Sequence, residues 1–245
     1  MQNSNENNGQ FSRIKMLVGD NSLKKLQNSH VAVFGVGGVG SAVVEALARG
    51  GVGKISIIDG DKVSVTNINR QLIATHKTVD MPKVEAAKLR LIEINPDIEV
   101  VLYNFFYVEE TEFNFSCIDY VVDAIDMVSS KLLIAGKCRE YGIPLISCMG
   151  TANKFCPEMF VVTDIKNTSY CPLARVMRRE LKKRGIDSLK VVYSTEQASK
   201  PIETDDTKPV EFYKKQTPGS MSFVPPVAGF ICAGEVIKDI LKNSY

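Results

Sequence analysis

The feature that most constrains this chain is a strand, turn and helix signature near its beginning. The apolar stretch His30 to Gly35 (HVAVFG) leads straight into Gly35-Val-Gly37-Gly38-Val-Gly40 and then SAVVEALAR. A compact apolar run ending in glycine reads as a buried strand, and the residues after it carry a helical pattern. Glycines at 35 and 37 let the backbone turn tightly and approach an anion, and Gly38 lies in the same turn. Gly40 permits close packing of helix on strand, while the helix N-terminus offers unpaired N–H groups to phosphate. A second apolar strand, Lys54 to Asp59 (KISIID), ends on a carboxylate 19 residues beyond Gly40, the spacing at which such a group accepts a ribose hydroxyl. The competing reading is a tight strand-to-helix turn with no ligand.

The rhythm continues beyond this unit. Pro82 to Ile94 and Ser130 to Tyr141 read as helices, and Ile98 to Tyr103, Tyr120 to Asp123 and Pro144 to Cys148 as strands. Strands alternating with helices predict an α/β fold: a Rossmann-like, doubly wound, mostly parallel sheet with helices on both faces. Ahead of it, Leu17, Leu23 and Leu26 suggest a short helix around Asn21 to Lys25. After Gly150 the rhythm changes: residues 159–164 and 190–194 flank a basic helix, and FVPPVAGFICAGEVIKDIL closes the chain. The expected organisation is a disordered Asn-rich tail over 1–10 and a single domain over 11–245. Within that domain, 11–150 is the nucleotide-binding core and 151–245 the substrate-side, C-terminal part. Residues 199–220 hold eight charged residues and three prolines, so they read as a mobile loop. There is no internal repeat.

Charge narrows the possible partners. With 30 basic and 28 acidic residues the net charge is +2, which excludes binding of a polyanion by bulk charge and requires a local cluster for any nucleic-acid contact. Such a cluster exists in LARVMRRELKKRG, residues 173–185, with six basic residues and one acid. At helical spacing Arg175, Arg178, Arg179, Lys182 and Lys183 fall within an arc of roughly 140°, opposite Leu173, Ala174, Met177 and Leu181. That cationic face suits an RNA backbone; the alternative is a solvated charged face that aids solubility. The six cysteines never stand at two-residue spacing, so no zinc is expected. The polar beginning carries no apolar leader, and the apolar stretch from Val224 to Ile231 is broken by two prolines and a glycine. Both features predict a soluble, cytoplasmic protein with no membrane contact.

The residues around the glycine turn decide which nucleotide it suits. Beyond Asp59, GDKVSVTNINRQL places Asn67, Asn69, Arg70 and Gln71 at the carboxyl edge of the sheet, where ligands bind in such folds. Lys83 follows Pro82 at a helix start. Cations converging on the glycine loop suit a polyphosphate, ATP, better than a dinucleotide. Asp123 and Asp126 (VVDAID) form a carboxylate pair at the end of the fourth strand, placed to hold Mg²⁺. A surface salt bridge for Arg70 and a helix cap for Asp126 are the competing explanations.

In this order of GxGGxG, Asp59, NxNRQ, Lys83 and DxxD, the chain resembles the ATP-dependent adenylating enzymes of the ubiquitin-activating superfamily. EALARGGVG, DGDKVSVTNINRQ, MGTANKFCPE and CPLARVMRRELKKRG are similar to the branch that acts on threonylcarbamoyladenosine in tRNA. The resemblance implies that Gly35, Gly37 and Gly40 line the phosphates, that Asp59 binds the ribose, and that Asn67 and Arg70 contact phosphates. It implies that Lys83 neutralises charge at the α-phosphate and that Asp126 holds Mg²⁺ or positions the leaving pyrophosphate. It further implies that Arg13 serves the active site of the other subunit of a homodimer. The implied reaction is ATP-dependent cyclisation of the modified nucleoside through an acyl adenylate, with a sulfur-transfer or carrier protein as a possible further partner. The leading alternative is adenylation of the C-terminal Gly-Gly of a ubiquitin-like sulfur carrier, and a nucleotide-binding scaffold without turnover is the reading outside enzymes. Cys156 departs from the acidic residue that the resemblance leads one to expect beside MGTANK, and Cys232 reads as a buried helix residue.

Overall fold

The computed structural model describes residues 9–200, 202 and 218–242. Within them seven strands form one sheet: β1 (His30–Phe34), β2 (Lys54–Ile58), β3 (Glu99–Tyr103), β4 (Tyr120–Asp123), β5 (Leu145–Cys148), β6 (Phe160–Asp164) and β7 (Lys190–Ser194). Their order is β3-β2-β1-β4-β5-β7-β6, parallel throughout except for the edge pair β6 and β7. The fold class is therefore the expected α/β. From β1 the strand order runs outward one way to β2 and β3 and the other way to β4 and β5, so the crevice above β1 and β4 is the switch point where such sheets bind ligands.

Among the described residues six α-helices accompany the sheet: α1 (Ser12–Gln27), α2 (Gly40–Arg49), α3 (Lys83–Ile94), α4 (Val128–Tyr141), α5 (Pro172–Lys183) and α6 (Val224–Leu241). Alternation along β1 assigns the two faces. Val31 and Val33 join a core with Val43, Leu47, Val84, Leu91, Cys232 and Val236 from α2, α3 and α6, whereas Ala32 and Phe34 join Ile134 and Cys138 of α4. Between β3 and β4 no helix covers the sheet. An aromatic cluster does so instead, with Phe34 at 4.9 Å from Tyr107 and 5.2 Å from Phe113 between ring centres.

Helix α1 is longer than the short helix expected over 21–25. It is kinked at Gly19, whose φ of 80° takes it out of the helical region. Leu23 and Leu26 are buried as their spacing implies, but Leu17 before the kink is 82% exposed. The kink places the two halves of the apolar pattern on different surfaces. The change of rhythm after Gly150 does not end the sheet, because β7 pairs in parallel with β5. Residues 1–8 and most of 199–220, the expected tail and loop, lie outside the described residues. No described helix is long and apolar enough to cross a membrane.

Candidate active site

A cleft of about 510 Å³ opens above the β1–β4 switch point, within the range of small-molecule sites. It gathers residues distant in sequence: Gly35, Gly37 and Gly38 from the turn after β1, Asp59 and Asp61 after β2, Asn67, Arg70 and Gln71, Lys83 of α3, Asp126 before α4, and Gly150 to Ala152 after β5. A groove of about 590 Å³ along α4 is larger but has none of the glycine turn.

The turn is shaped by what a side chain would strike. Gly35 has φ of 84°, in the left-handed region that favours glycine. At Gly40 an added Cβ would lie 1.8 Å from the Gly35 carbonyl oxygen, so the first turn of α2 closes on the loop only without a side chain. Gly40 itself stays beneath the cleft, supporting the loop.

Asp59 is largely buried. Its Oδ2 accepts from the Val36 N–H at 2.8 Å and its Oδ1 from the Asp61 N–H at 2.9 Å, which ties the glycine turn to β2. Burial pushes its carboxyl above the usual range, and Lys83 and the two N–H groups only partly offset this. Lys83 is itself buried, with Nζ 2.6 Å from Asp61 Oδ2 and 4.0 Å from Asp59 Oδ1. Its ammonium therefore sits at the Asp59 end of the cleft, held by two carboxylates.

Arg70 is half-buried, and its Nη1 donates to the Thr66 carbonyl at 3.0 Å and Asn69 Oδ1 at 2.9 Å. It pairs with no carboxylate among the described residues, so its positive charge faces the cleft uncompensated. The Asn67 amide oxygen caps Ser64 N–H at 3.1 Å, which shapes the turn that carries Arg70. Gln71 is buried, yet its Oε1 has no hydrogen-bond partner among the described residues. An orphaned buried acceptor beside a glycine turn is what a donor on a bound ligand would satisfy.

The two carboxylates of VVDAID part company. Asp126 is exposed at the mouth of the cleft, whereas Asp123 is wholly buried, 3.0 Å from Lys131 Nζ and 2.6 Å from Ser147 Oγ. The expectation that both hold Mg²⁺ is thus corrected: Asp123 alternates inward along β4 and its charge is spent on Lys131. Among the described residues no group of three His, Cys, Asp or Glu could hold a metal ion unaided. Asp126 alone still fits Mg²⁺, which takes one or two carboxylates and completes its shell from phosphates and water.

Helix α5 begins at this cleft, since Leu173 lines it, and buries Ala174, Met177 and Leu181 as expected. Of its five expected RNA-facing cations, Arg178 does something else. Its guanidinium donates to the Thr168 carbonyl at 2.8 Å and Thr168 Oγ1 at 2.6 Å, pinning the turn before the helix. Arg179 and Lys183 contact Glu180 at 3.0 Å and 2.9 Å. Arg175 and Lys182 are exposed with no partner among the described residues. Arg13 is exposed on α1, outside the cleft lining, beside Met16 and Leu17, each 82% exposed.

Sequence reasoning passed over several lining residues: Asp61, Phe105 to Tyr107, Met127, Ser220 and Pro225. Asp61 stands in the same DGD as Asp59 and could have been included. Phe105 to Tyr107 and Ser220 arrive from segments with no periodicity, Met127 and Pro225 stand at the starts of α4 and α6, and only the folded chain brings them to the cleft. Of the cysteines, the Cys171 thiol accepts the Ala174 N–H at 3.5 Å as a helix cap, and Cys232 is buried with its thiol pushed well up by Cys148 and desolvation.

The ThiF family model matches residues 11–244. The chain is 44% identical over 244 residues to the tRNA threonylcarbamoyladenosine dehydratase of Bacillus subtilis, covering 96% of this chain and 95% of that protein. The crystal structure of Escherichia coli tRNA N6-threonylcarbamoyladenosine dehydratase in complex with AMP is similar at a TM-score of 0.87 and 31% identity, over 99% of this chain and 98% of that one. The same enzyme in complex with ATP matches at 0.84 and 30%, with the same coverage.

Proposed function

The chain belongs to the ThiF family, and on that premise we propose that it is an ATP-dependent tRNA threonylcarbamoyladenosine dehydratase. The observation that carries the reading is the cleft: a glycine turn, a buried ribose-side carboxylate and an uncompensated Arg70 meet at the switch point, in a chain 44% identical to such a dehydratase over nearly its full length.

ATP is a substrate in this reaction. The orphaned Gln71 Oε1 and the side-chain-free turn at Gly35 fit a nucleotide in the cleft. Gly35, Gly37 and Gly38 would carry the phosphates, Asp59 would accept ribose hydroxyl protons, and Arg70, with Asn67 shaping its turn, would meet the phosphate chain. Lys83 would leave Asp61 to approach the α-phosphate. Asp126 would hold Mg²⁺, which when bound offsets phosphate charge.

The threonyl carboxylate of the modified adenosine attacks the α-phosphorus of ATP, and pyrophosphate leaves. A ureido nitrogen or oxygen then attacks the resulting acyl carbon, AMP leaves with the carboxylate oxygen, and the ureido proton is released. The balance is ATP plus open nucleoside to AMP, pyrophosphate and ring, with one water's atoms removed. An acyl adenylate is already activated, so the protein mainly positions reactants and stabilises charge on phosphorus.

Arg175 and Lys182, with the paired Arg179 and Lys183, would meet the tRNA backbone beside the cleft. Arg13 would reach the cleft of a second copy, and exposed Met16 and Leu17 beside it supply apolar surface for a homodimer. The test is pyrophosphate release from ATP and Mg²⁺ with three acceptors: tRNA bearing threonylcarbamoyladenosine, the same tRNA unmodified, and a ubiquitin-like carrier ending in Gly-Gly. Release with the first alone is expected; release with the carrier alone would favour carrier adenylation.

A further inference from the structure

Beneath the cleft lies a polar cluster that the proposed chemistry does not use. Lys131 of α4 and Asp123 at the end of β4 are both 0% exposed. The Lys131 ammonium has three protons and three acceptors: Asp123 Oδ2 at 3.0 Å, Ser147 Oγ at 3.1 Å and the Cys148 carbonyl at 2.7 Å. Ser147 Oγ donates to Asp123 Oδ2 at 2.6 Å, and Asp123 Oδ1 accepts the Ile125 N–H at 3.2 Å. The network is fully satisfied.

Its position is more telling than its strength. Asp123 and Ser147 are register partners on adjacent strands. Immediately beyond them Ala124 to Met127 leave β4, Met149 to Ala152 leave β5, and both segments line the cleft. One ammonium thus fixes two crest loops against each other, holding β5 through Cys148 and β4 through Asp123, whose second oxygen holds the Ile125 backbone beside Asp126. A buried ion pair is seldom more stabilising than apolar residues of the same volume, and what it does supply is a defined geometry.

We infer that Lys131 is a positioning residue for the reaction in this cleft, setting the separation of the Asp126 loop and the Gly150 loop. The inference rests on the reading of the cleft as an adenylation site. Misplacement by about 1 Å costs on the order of 100-fold in rate, so loss of the tether should appear in kcat far more than in ATP affinity.

The experiment compares wild type, Lys131→Met and the charge-neutral pair Asp123→Asn with Lys131→Met, by thermal unfolding and by kcat and KM for ATP in AMP release with modified tRNA. Lys131→Met alone strands a buried carboxylate and should lower Tm. The neutral pair should recover most of that Tm while kcat stays about 10-fold to 100-fold below wild type and KM for ATP moves little. A pair with recovered Tm and kcat within about twofold of wild type would overturn the role. Ser147→Ala keeps both charges and carries the same test if neither lysine variant folds: kcat should fall severalfold at near-normal Tm, and an unchanged kcat would contradict the inference. Wild type that releases neither pyrophosphate nor AMP refutes the adenylation reading instead, so the two failures are distinguishable.

Discussion

The glycine turn and helix α5 border the same cleft, yet they tolerate change very differently. In the turn, a single methyl group at Gly40 would sit 1.8 Å from a backbone oxygen. On α5 and at its C-terminal cap the cations are exposed, and three of them, Arg179, Lys183 and Arg184, share one acid, Glu180. The first region is specified by backbone geometry, where one atom decides. The second is specified by charge, where each side chain adds a modest and salt-sensitive increment. The phosphate side should therefore break at single substitutions and the RNA side should weaken by degrees.

The sharpest way to break this contrast is Gly40→Ala. The clash must displace the turn, and ATP affinity should fall roughly 100-fold, about 2.8 kcal/mol, by titration calorimetry; affinity within threefold would mean that the turn is as pliable as α5. Arg70→Ala comes next. Its loss should raise the adenylation barrier by roughly 3 kcal/mol, read as kcat, with Tm little changed because the guanidinium is half-exposed.

On α5 the contrast can be refined within one helix. Arg178→Ala should cost about 2 kcal/mol in denaturant unfolding, since its charged hydrogen bonds hold Thr168, and should leave the salt dependence of tRNA binding unchanged. The pair Arg175→Ala with Lys182→Ala should do the reverse, lowering the slope of log K against log salt by roughly 1.4 to 1.8 at unchanged stability. If Arg178 alone moves the slope, its inward assignment is wrong.

The smallest effect belongs to the far end of the sheet, where Asp239 of α6 joins β4 and β7 through Tyr120 Oη at 2.7 Å and Lys190 Nζ at 2.9 Å. Burial would raise this carboxyl, but Lys242, Lys190 and Tyr120 outweigh it and hold the pKa down at about 2. A depressed carboxyl contributes stability that is fully present above its unfolded pKa, near 4. That contribution is lost as pH falls toward 2. Asp239→Asn should therefore be slightly less stable at neutral pH and show a flatter loss of Tm between about pH 4 and pH 2.

What could be read from the sequence follows the same division. The turn, β1, β2 and Asp59 are local: strand, glycine and helix stand in one continuous run, so composition and spacing suffice. The parallel sheet followed for the same reason. Arg178 could not be placed, because helical spacing puts it on the cationic arc and only the carbonyl of Thr168 draws it inward. Asp123 and Asp126 look equivalent in VVDAID, and their separation depends on Lys131 and Ser147 from other elements. Leu17 belongs to the apolar pattern of α1, and the kink at Gly19 turns it outward. The first two departures are contacts from outside the element and the third is a backbone kink within it, and each overrides a local period.

The central claim is that this cleft closes a ring on tRNA at the expense of ATP. The direct measurement is the mass of the modified nucleoside in digested tRNA after incubation with the protein, ATP and Mg²⁺, alongside AMP formed. The account predicts loss of the mass of one water from threonylcarbamoyladenosine, one for each AMP. AMP formation with the nucleoside mass unchanged would contradict it.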